Sequence, residues 1–280
     1  MKIALHSASA PEWTLEELLV AARRYGCEGL ELRAGIGHGH GAELAAGFER
    51  RKQLKKQADR AGVALRCLSV SCRFSDAADA ETHVAETEAY VRLAEDLGIP
   101  CVRVFCGRIP PGGSLAESKR SVVDSLRSLA PSARRSGVVL LLETHDDWSD
   151  PRVMAGVLEA ISDDHVGVLW DVLHTQLEGG ASPDAAYAAL APWIRHVHVH
   201  DGAPRSPGAP ESNGSGRHPD YRPIGLGVVD HSRILDLLRA GAYEGYLSGE
   251  WYGWEPADVH LPRELPVLSG LLAKTGGAAP

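Results

Sequence analysis

The chain has 280 residues, 44% hydrophobic and 24% charged, with 30 Gly and 17 Pro, which suits a globular protein with one large core or two modest ones. Its formal net charge of −8, from 29 Lys+Arg against 37 Asp+Glu, opposes non-specific binding to nucleic acid. No run approaches the roughly 20 apolar residues of a membrane span, and the start, Met1 to His6, lacks the apolar stretch of a secretory signal. The expectation is therefore a cytoplasmic chain with no membrane partner. Five cysteines, an odd count in mostly apolar strand-like runs, read as buried reduced thiols rather than a disulfide framework.

Short β-rich runs alternate with helical stretches along the chain. The strand candidate 2–6 precedes a helix opened by the capping box Thr14-Leu15-Glu16-Glu17 and closed by Gly26. The next strand, 29–33, leads to a helix ended by Gly62. The strand 63–71 precedes a helix whose Tyr90, Leu93, Ala94 and Leu97 form a buried stripe, with Gly98 at its end. The strand 101–106 is followed by a second capping box, Ser114-Leu115-Ala116-Glu117, and a helix ended by Gly137. After the strands 138–144 and 166–171, Asp150-Pro151 and Ser182-Pro183 each place a cap residue before a proline at the first helical position. The strand 194–200 runs into 202–225, rich in Gly, Pro, Ser, Asn and Arg, which reads as a long loop over the mouth of the fold. A helix at about 230–240, closed by Gly241, and a last strand, 245–250, complete the series.

Most of these strands are near-continuous apolar runs, as in parallel sheets covered on both faces. Eight strand–helix units of about 35 residues each predict an α/β fold, one (β/α)8 TIM barrel over 1–280. A doubly wound sheet is disfavoured because His6-Ser7-Ala8-Ser9-Ala10-Pro11 stands where a Gly-rich phosphate fingerprint would follow the first strand.

In such a barrel the chemistry sits where the strands end. The fifth strand ends in Glu143-Thr144-His145, the sixth in Trp170-Asp171, and the eighth in Gly249-Glu250-Trp251. The seventh carries His196, His198 and His200 on one face, about 6.6 Å apart in succession, so one ion would take one of the three. Four successive strands thus offer Glu, Asp, His and Glu. Buried carboxylates do not cluster cheaply without a cation. Three carboxylates and one imidazole suit a single divalent metal, Mn²⁺ or Mg²⁺ first, with Zn²⁺ or Co²⁺ as alternatives.

The chain resembles the xylose isomerase-like TIM barrels, which include sugar-phosphate isomerases and epimerases, ketose 3-epimerases and inosose dehydratases. The resemblance covers nearly the whole length. It rests on Glu143, Asp171-x-x-His174, His196-x-His198-x-x-Asp201, Ile224-Gly225-Leu226-Gly227-x-x-Asp230 and Gly249-Glu250. It implies that Glu143, Asp171, His198 and Glu250 hold the metal, and that Glu143 and Glu250 are also the catalytic acid/base pair. It also implies that His174 contacts substrate and that Arg217 matches an arginine used for substrate hydroxyls. His145 and His6 are further substrate-contact candidates, and Trp251 is a candidate wall for a sugar's apolar face. Glu31 and Arg33, sharing a strand face, read as structural ion-pair residues across the barrel, with substrate binding as the alternative, and Arg103 or Arg108 could hold a phosphate or carboxylate.

The function implied is a metal-dependent isomerase or epimerase of a sugar or sugar phosphate, working through an enediolate on a hydroxy-ketone. The alternative is a dehydratase of a cyclic polyol ketone, of inosose or dehydroshikimate type. An apurinic endonuclease shares the barrel but needs more ligands; Pro219 and Tyr221 stand where its Asp-x-His would, and 63–73 has no histidine. A non-catalytic sugar-binding barrel is the remaining reading. The expected partner is a small sugar or polyol ketone rather than nucleic acid, and the resemblance leaves a homodimer open.

Overall fold

The computed structural model describes residues 1–204 and 219–274. Its strands in chain order are β1 (Lys2–His6), β2 (Gly29–Arg33), β3 (Ala64–Arg73), β4 (Cys101–Phe105), β5 (Val139–Glu143), β6 (Val166–Asp171) and β7 (Ile194–Val199), then β8 (Asp201–Ala203), β9 (Asp220–Arg222) and β10 (Tyr246–Gly249). Eight of them close a parallel barrel in the order β1-β10-β7-β6-β5-β4-β3-β2, while β8 and β9 form a separate antiparallel ribbon. The open doubly wound sheet is thereby excluded.

Helices α1 (Leu15–Arg24), α2 (Phe48–Ala61), α3 (Ala80–Leu97), α4 (Leu115–Ser136) and α5 (Pro151–Ile161) occupy the first five connections, followed by α6 (Val172–Leu177), α7 (Pro183–Leu190), α8 (His231–Ala240) and α9 (Ala257–Ala273). Both expected capping boxes form: Thr14 Oγ1 and Ser114 Oγ accept the amides of Glu17 and Glu117, and each Glu accepts the cap residue's amide in return. Gly62, Gly98 and Gly137 end their helices with φ of 68°, 67° and 64°, a left-handed geometry that glycine adopts without a Cβ clash. The helices' apolar stripes, including Tyr90, Leu93, Ala94 and Leu97, pack on the outward faces of the strands and form the main core. A second, small apolar layer inside the barrel consists of Cys67, Leu141 and Leu169.

The cysteines are all free thiols. No helix among the described residues is long and apolar enough to cross a membrane. Two features depart from the sequence expectation. The described part of the long connection after β7 includes the β8–β9 ribbon, its strands only three residues each. A short extra helix, α6, begins directly at the end of β6, because the Asp171 carboxylate accepts the amides of Leu173 and His174 and so caps it.

Candidate metal centre

At the C-terminal mouth, β5, β6, β7 and the residue after β10 bring Glu143, Asp171, His198 and Glu250 together, with one ligand atom from each within 4.8 Å of the others. His198 Nδ1 lies 2.9 Å from Glu250 Oε2, 3.3 Å from Glu143 Oε1 and 3.8 Å from Asp171 Oδ2. The strand register explains the convergence: Asp171 pairs with His198, His198 with Ser248, and Glu143 with Leu169. Glu143 and Asp171 are the last residues of β5 and β6, and Glu250 follows the last residue of β10.

The neighbours orient the quartet. Asp171 Oδ1 accepts three hydrogen bonds, from the amides of Leu173 and His174 at 2.9 Å and from His200 Nε2 at 3.1 Å. Arg103, itself 2% exposed, places Nε 3.0 Å from Glu143 Oε2 and donates from a terminal nitrogen to the Val70 carbonyl. His6 accepts the Ala8 amide on Nδ1, which leaves its Nε2 proton 3.5 Å from both Glu31 and Glu250. Yet buried His198 Nδ1 has no aligned hydrogen-bond partner, and Glu143 Oε2 and Asp171 Oδ2 meet only the poorly aligned Arg103 Nε at 3.0 Å and His200 Nε2 at 2.9 Å. Orphaned buried lone pairs are costly. A buried imidazole nitrogen with no aligned partner, facing carboxylate oxygens of Glu143, Asp171 and Glu250 within 4 Å, is a donor set that fits a hard divalent cation.

Electrostatics agree with the geometry. Burial opposes charge on His198, but Glu250, Glu31 and Glu143 outweigh it and push the imidazole well above its ordinary range. Burial likewise opposes ionisation of Glu143 and Glu250; Arg103 and His198 pull the first down, and His198 and His6 pull the second well down. Asp171 is also depressed, the nearby histidines overcoming its burial. His174 is pushed up to about 10 because Asp171 and Glu178 outweigh its desolvation. His6 falls to about 4, where burial wins over its two carboxylate neighbours.

The remaining sequence candidates take varied positions. His174 is 5% exposed, and its ring centroid lies 4.3 Å from that of His145, which also meets Phe105 at 5.0 Å. Arg108 is on the surface with Asp146. Arg217 lies outside the described residues. Trp251 is 1% exposed, packed against His260 with its backbone amide on Ser9 Oγ, so it lies beneath the rim instead of forming an open wall. Gly249 is required beneath it, since a Cβ there would lie 2.5 Å from the indole ring.

Glu31 does pair across the barrel, with His196 and His198, but Arg33 takes no part in it. Arg33 donates to the carbonyls of Ala34 and Ser69 and to Ser71, whereas Glu31 accepts from His196, His198 and Ser69. Sequence reasoning singled out Glu31 but not its histidine partners, and it missed the His200–Asp171 contact. The available signal was a carboxylate and a third histidine on inward-facing strand positions.

A closed parallel barrel with convergent carboxylates and histidines at its C-terminal mouth defines a TIM-barrel protein with a candidate metal centre. The sequence matches the family described as "Xylose isomerase-like TIM barrel" over residues 19–268, and the chain belongs to that family. A curated relative, 3-dehydro-D-guloside 4-epimerase of Escherichia coli (strain K12), is 27% identical over 167 residues, 56% of this chain and 57% of the relative. The match thus spans little more than half of that protein. Among solved structures, the probable 3-DHS dehydratase AsbF from Bacillus anthracis superposes with a TM-score of 0.80 at 22% identity, covering 96% of this chain and 99% of that one. The IOLI protein with a bound zinc atom gives a TM-score of 0.80 at 17% identity, covering 99% and 100%. At these identities the two structures speak for the fold.

Proposed function

We propose that this chain is a divalent-metal-dependent isomerase or epimerase of a sugar or sugar phosphate, acting through an enediolate on a hydroxy-ketone. The observation that carries the reading is the meeting of Glu143 and Glu250, from strands three places apart around the ring, at His198 Nδ1. Glu143, Asp171, His198 and Glu250 would hold the cation, Mn²⁺ or Mg²⁺ by their oxygen-rich chemistry. A bound divalent cation supplies positive charge to a ketone oxygen and its neighbouring hydroxyl, which acidifies the carbon between them.

Glu143 and Glu250 reach that carbon from different sides, one to remove its proton and the other to return one. Arg103 beside Glu143 keeps that carboxylate ionised and able to act as a base. Return to the opposite face gives epimerisation, and return to the adjacent carbon gives isomerisation. His6 and His174 border the set on opposite sides, within reach of substrate hydroxyls.

A second reading is dehydration of a cyclic polyol ketone. It is favoured by the His145–His174 pair beside Glu143, since a histidine that keeps its proton up to about 10 can protonate a departing hydroxyl. The similarity to the probable 3-DHS dehydratase also supports it.

The test is deuterium uptake next to the carbonyl in D2O, followed by NMR over ketoses, ketose phosphates and inososes, with Mn²⁺ and with EDTA. Metal-dependent uptake is expected, and the product separates epimerase, isomerase and dehydratase. Glu143→Gln or Glu250→Gln should lower turnover by roughly 10²–10⁴-fold, the usual worth of a positioned acid/base. Full activity in either variant would remove it from the catalytic pair.

A further inference from the structure

Glu31 lies deeper than the quartet and is fully buried. Its Oε1 is 3.1 Å from His198 Nε2 and also accepts from Ser69 Oγ, while Oε2 is 2.8 Å from His196 Nε2. The surrounding interior layer is apolar: Glu31 pairs in register with Cys67, and His196 with Leu169. Taking a carboxylate out of water costs several kcal/mol unless its partners are well placed. Glu31 is sustained here by the donors Ser69, His196 and His198, and the last of these belongs to the quartet.

His198 touches Glu31 through one ring nitrogen and faces Glu143, Asp171 and Glu250 with the other. A carboxylate can only accept, so the proton between Glu31 and His198 belongs to Nε2. A cation at the quartet would then displace the proton that the carboxylates favour on Nδ1 and meet the lone pair of that atom, which has no aligned hydrogen-bond partner.

We infer that Glu31 is the positioning residue of the metal centre: its carboxylate fixes the proton of His198 on Nε2 and so presents Nδ1 to the cation. Glu31 acts on the quartet through His198, with Ser69 and His196 holding it in place and His6 Nε2 3.5 Å from its Oε1. Outer-shell carboxylates of this kind set both the tautomer and the basicity of a ligating histidine, and their loss commonly weakens metal binding 10–100-fold.

This inference rests on the metal reading above, and the test separates the two. Mn²⁺ binding is followed by the EPR signal of the free ion for the wild type, Glu31→Gln and Glu31→Met, alongside the melting temperature of each in EDTA. The expected result is a Mn²⁺ dissociation constant raised about 10–100-fold in Glu31→Gln and further in Glu31→Met, which also loses the acceptor. In the Zn²⁺-loaded, ¹⁵N-histidine-labelled wild type, the His198 Nε2 proton should exchange slowly. It should persist in Glu31→Gln, whose amide oxygen can still accept, and disappear in Glu31→Met.

A Glu31→Gln dissociation constant within twofold of the wild type overturns the inference, even if the melting temperature falls, because that pattern marks a purely structural residue. If Glu31→Met does not fold, Glu31→Gln decides alone. A wild type that takes up no Mn²⁺ overturns the metal reading, and the role of Glu31 with it.

Discussion

His40, in the loop after β2, is buried with both ring nitrogens already committed. Nδ1 accepts the Ala42 amide at 3.0 Å, and Nε2 donates to the Arg33 carbonyl at 3.0 Å. A second proton would have to sit on Nδ1, facing the Ala42 N–H. Burial accordingly lowers His40 to about 4, against 6.5 for a free histidine. Between these values the folded chain binds fewer protons than the unfolded chain, so this contribution is complete above about pH 6.5 and is lost as pH falls through 4. The depression corresponds to roughly 3 kcal/mol at 1.36 kcal/mol per unit. Urea unfolding at pH 7.5, 5.5 and 4.5 should show the wild type losing more stability than His40→Gln, whose amide can replace both hydrogen bonds. Parallel pH profiles for the two proteins would show that His40 does not couple protonation to folding.

The β8–β9 ribbon and the turn after it are organised by one carboxylate. Asp201 accepts the amides of Gly202 and Val229 on Oδ1 and those of Gly225 and Gly227 on Oδ2, at 2.8–3.1 Å. A Cβ at Gly227 would collide with Asp201 Oδ1 and the Gly202 carbonyl, so the glycine motif keeps the backbone close to this acceptor. Asp201→Ala orphans four amides and should cost on the order of 3 kcal/mol or more. Amide exchange at Gly225, Gly227 and Val229 should accelerate in that variant, and unchanged protection there would show that the ribbon holds without its carboxylate. Because His200, which grips Asp171, directly precedes Asp201, the disturbance should also reach the metal centre. These elements mark the boundary of what was readable in the sequence. Glu143, Asp171 and Glu250 were legible because each ends an apolar run, whereas His198 was picked from three histidines only by the family resemblance. The ribbon was not, since three-residue strands carry no periodicity. The partners of Glu31 were hidden for another reason: contact between β2 and β7 runs across the barrel, and depends on the stagger of strands that a linear pattern does not contain. The burial of Trp251 was equally hidden, because alternation says nothing once a strand has ended.

Across the whole molecule, the barrel concentrates acidic groups at one end of its interior. Glu31, Glu143, Asp171 and Glu250 are held there as anions against the cost of burial, with imidazoles and Arg103 as their counter-charges. The closed strand ring keeps Glu31, Glu143 and Asp171 together, since each is part of a strand hydrogen-bonded on both sides. A cation that binds this arrangement and not the unfolded chain must stabilise the fold by mass action. At about 100 times its dissociation constant, Mn²⁺ should contribute about 2.7 kcal/mol. For a domain of this size that is a rise of roughly 5–10 °C in melting temperature over the protein in EDTA. The protein in EDTA should remain folded, because the strands and helices bury their own core without help from the centre. The same titration on Asp171→Asn, which keeps the α6 cap acceptor but removes one ligand charge, should show a much smaller shift. An equal rise in wild type and variant would mean that Mn²⁺ binds elsewhere on this acidic chain, and collapse of the wild type in EDTA would make the cation a structural element of the barrel before it is a catalytic one.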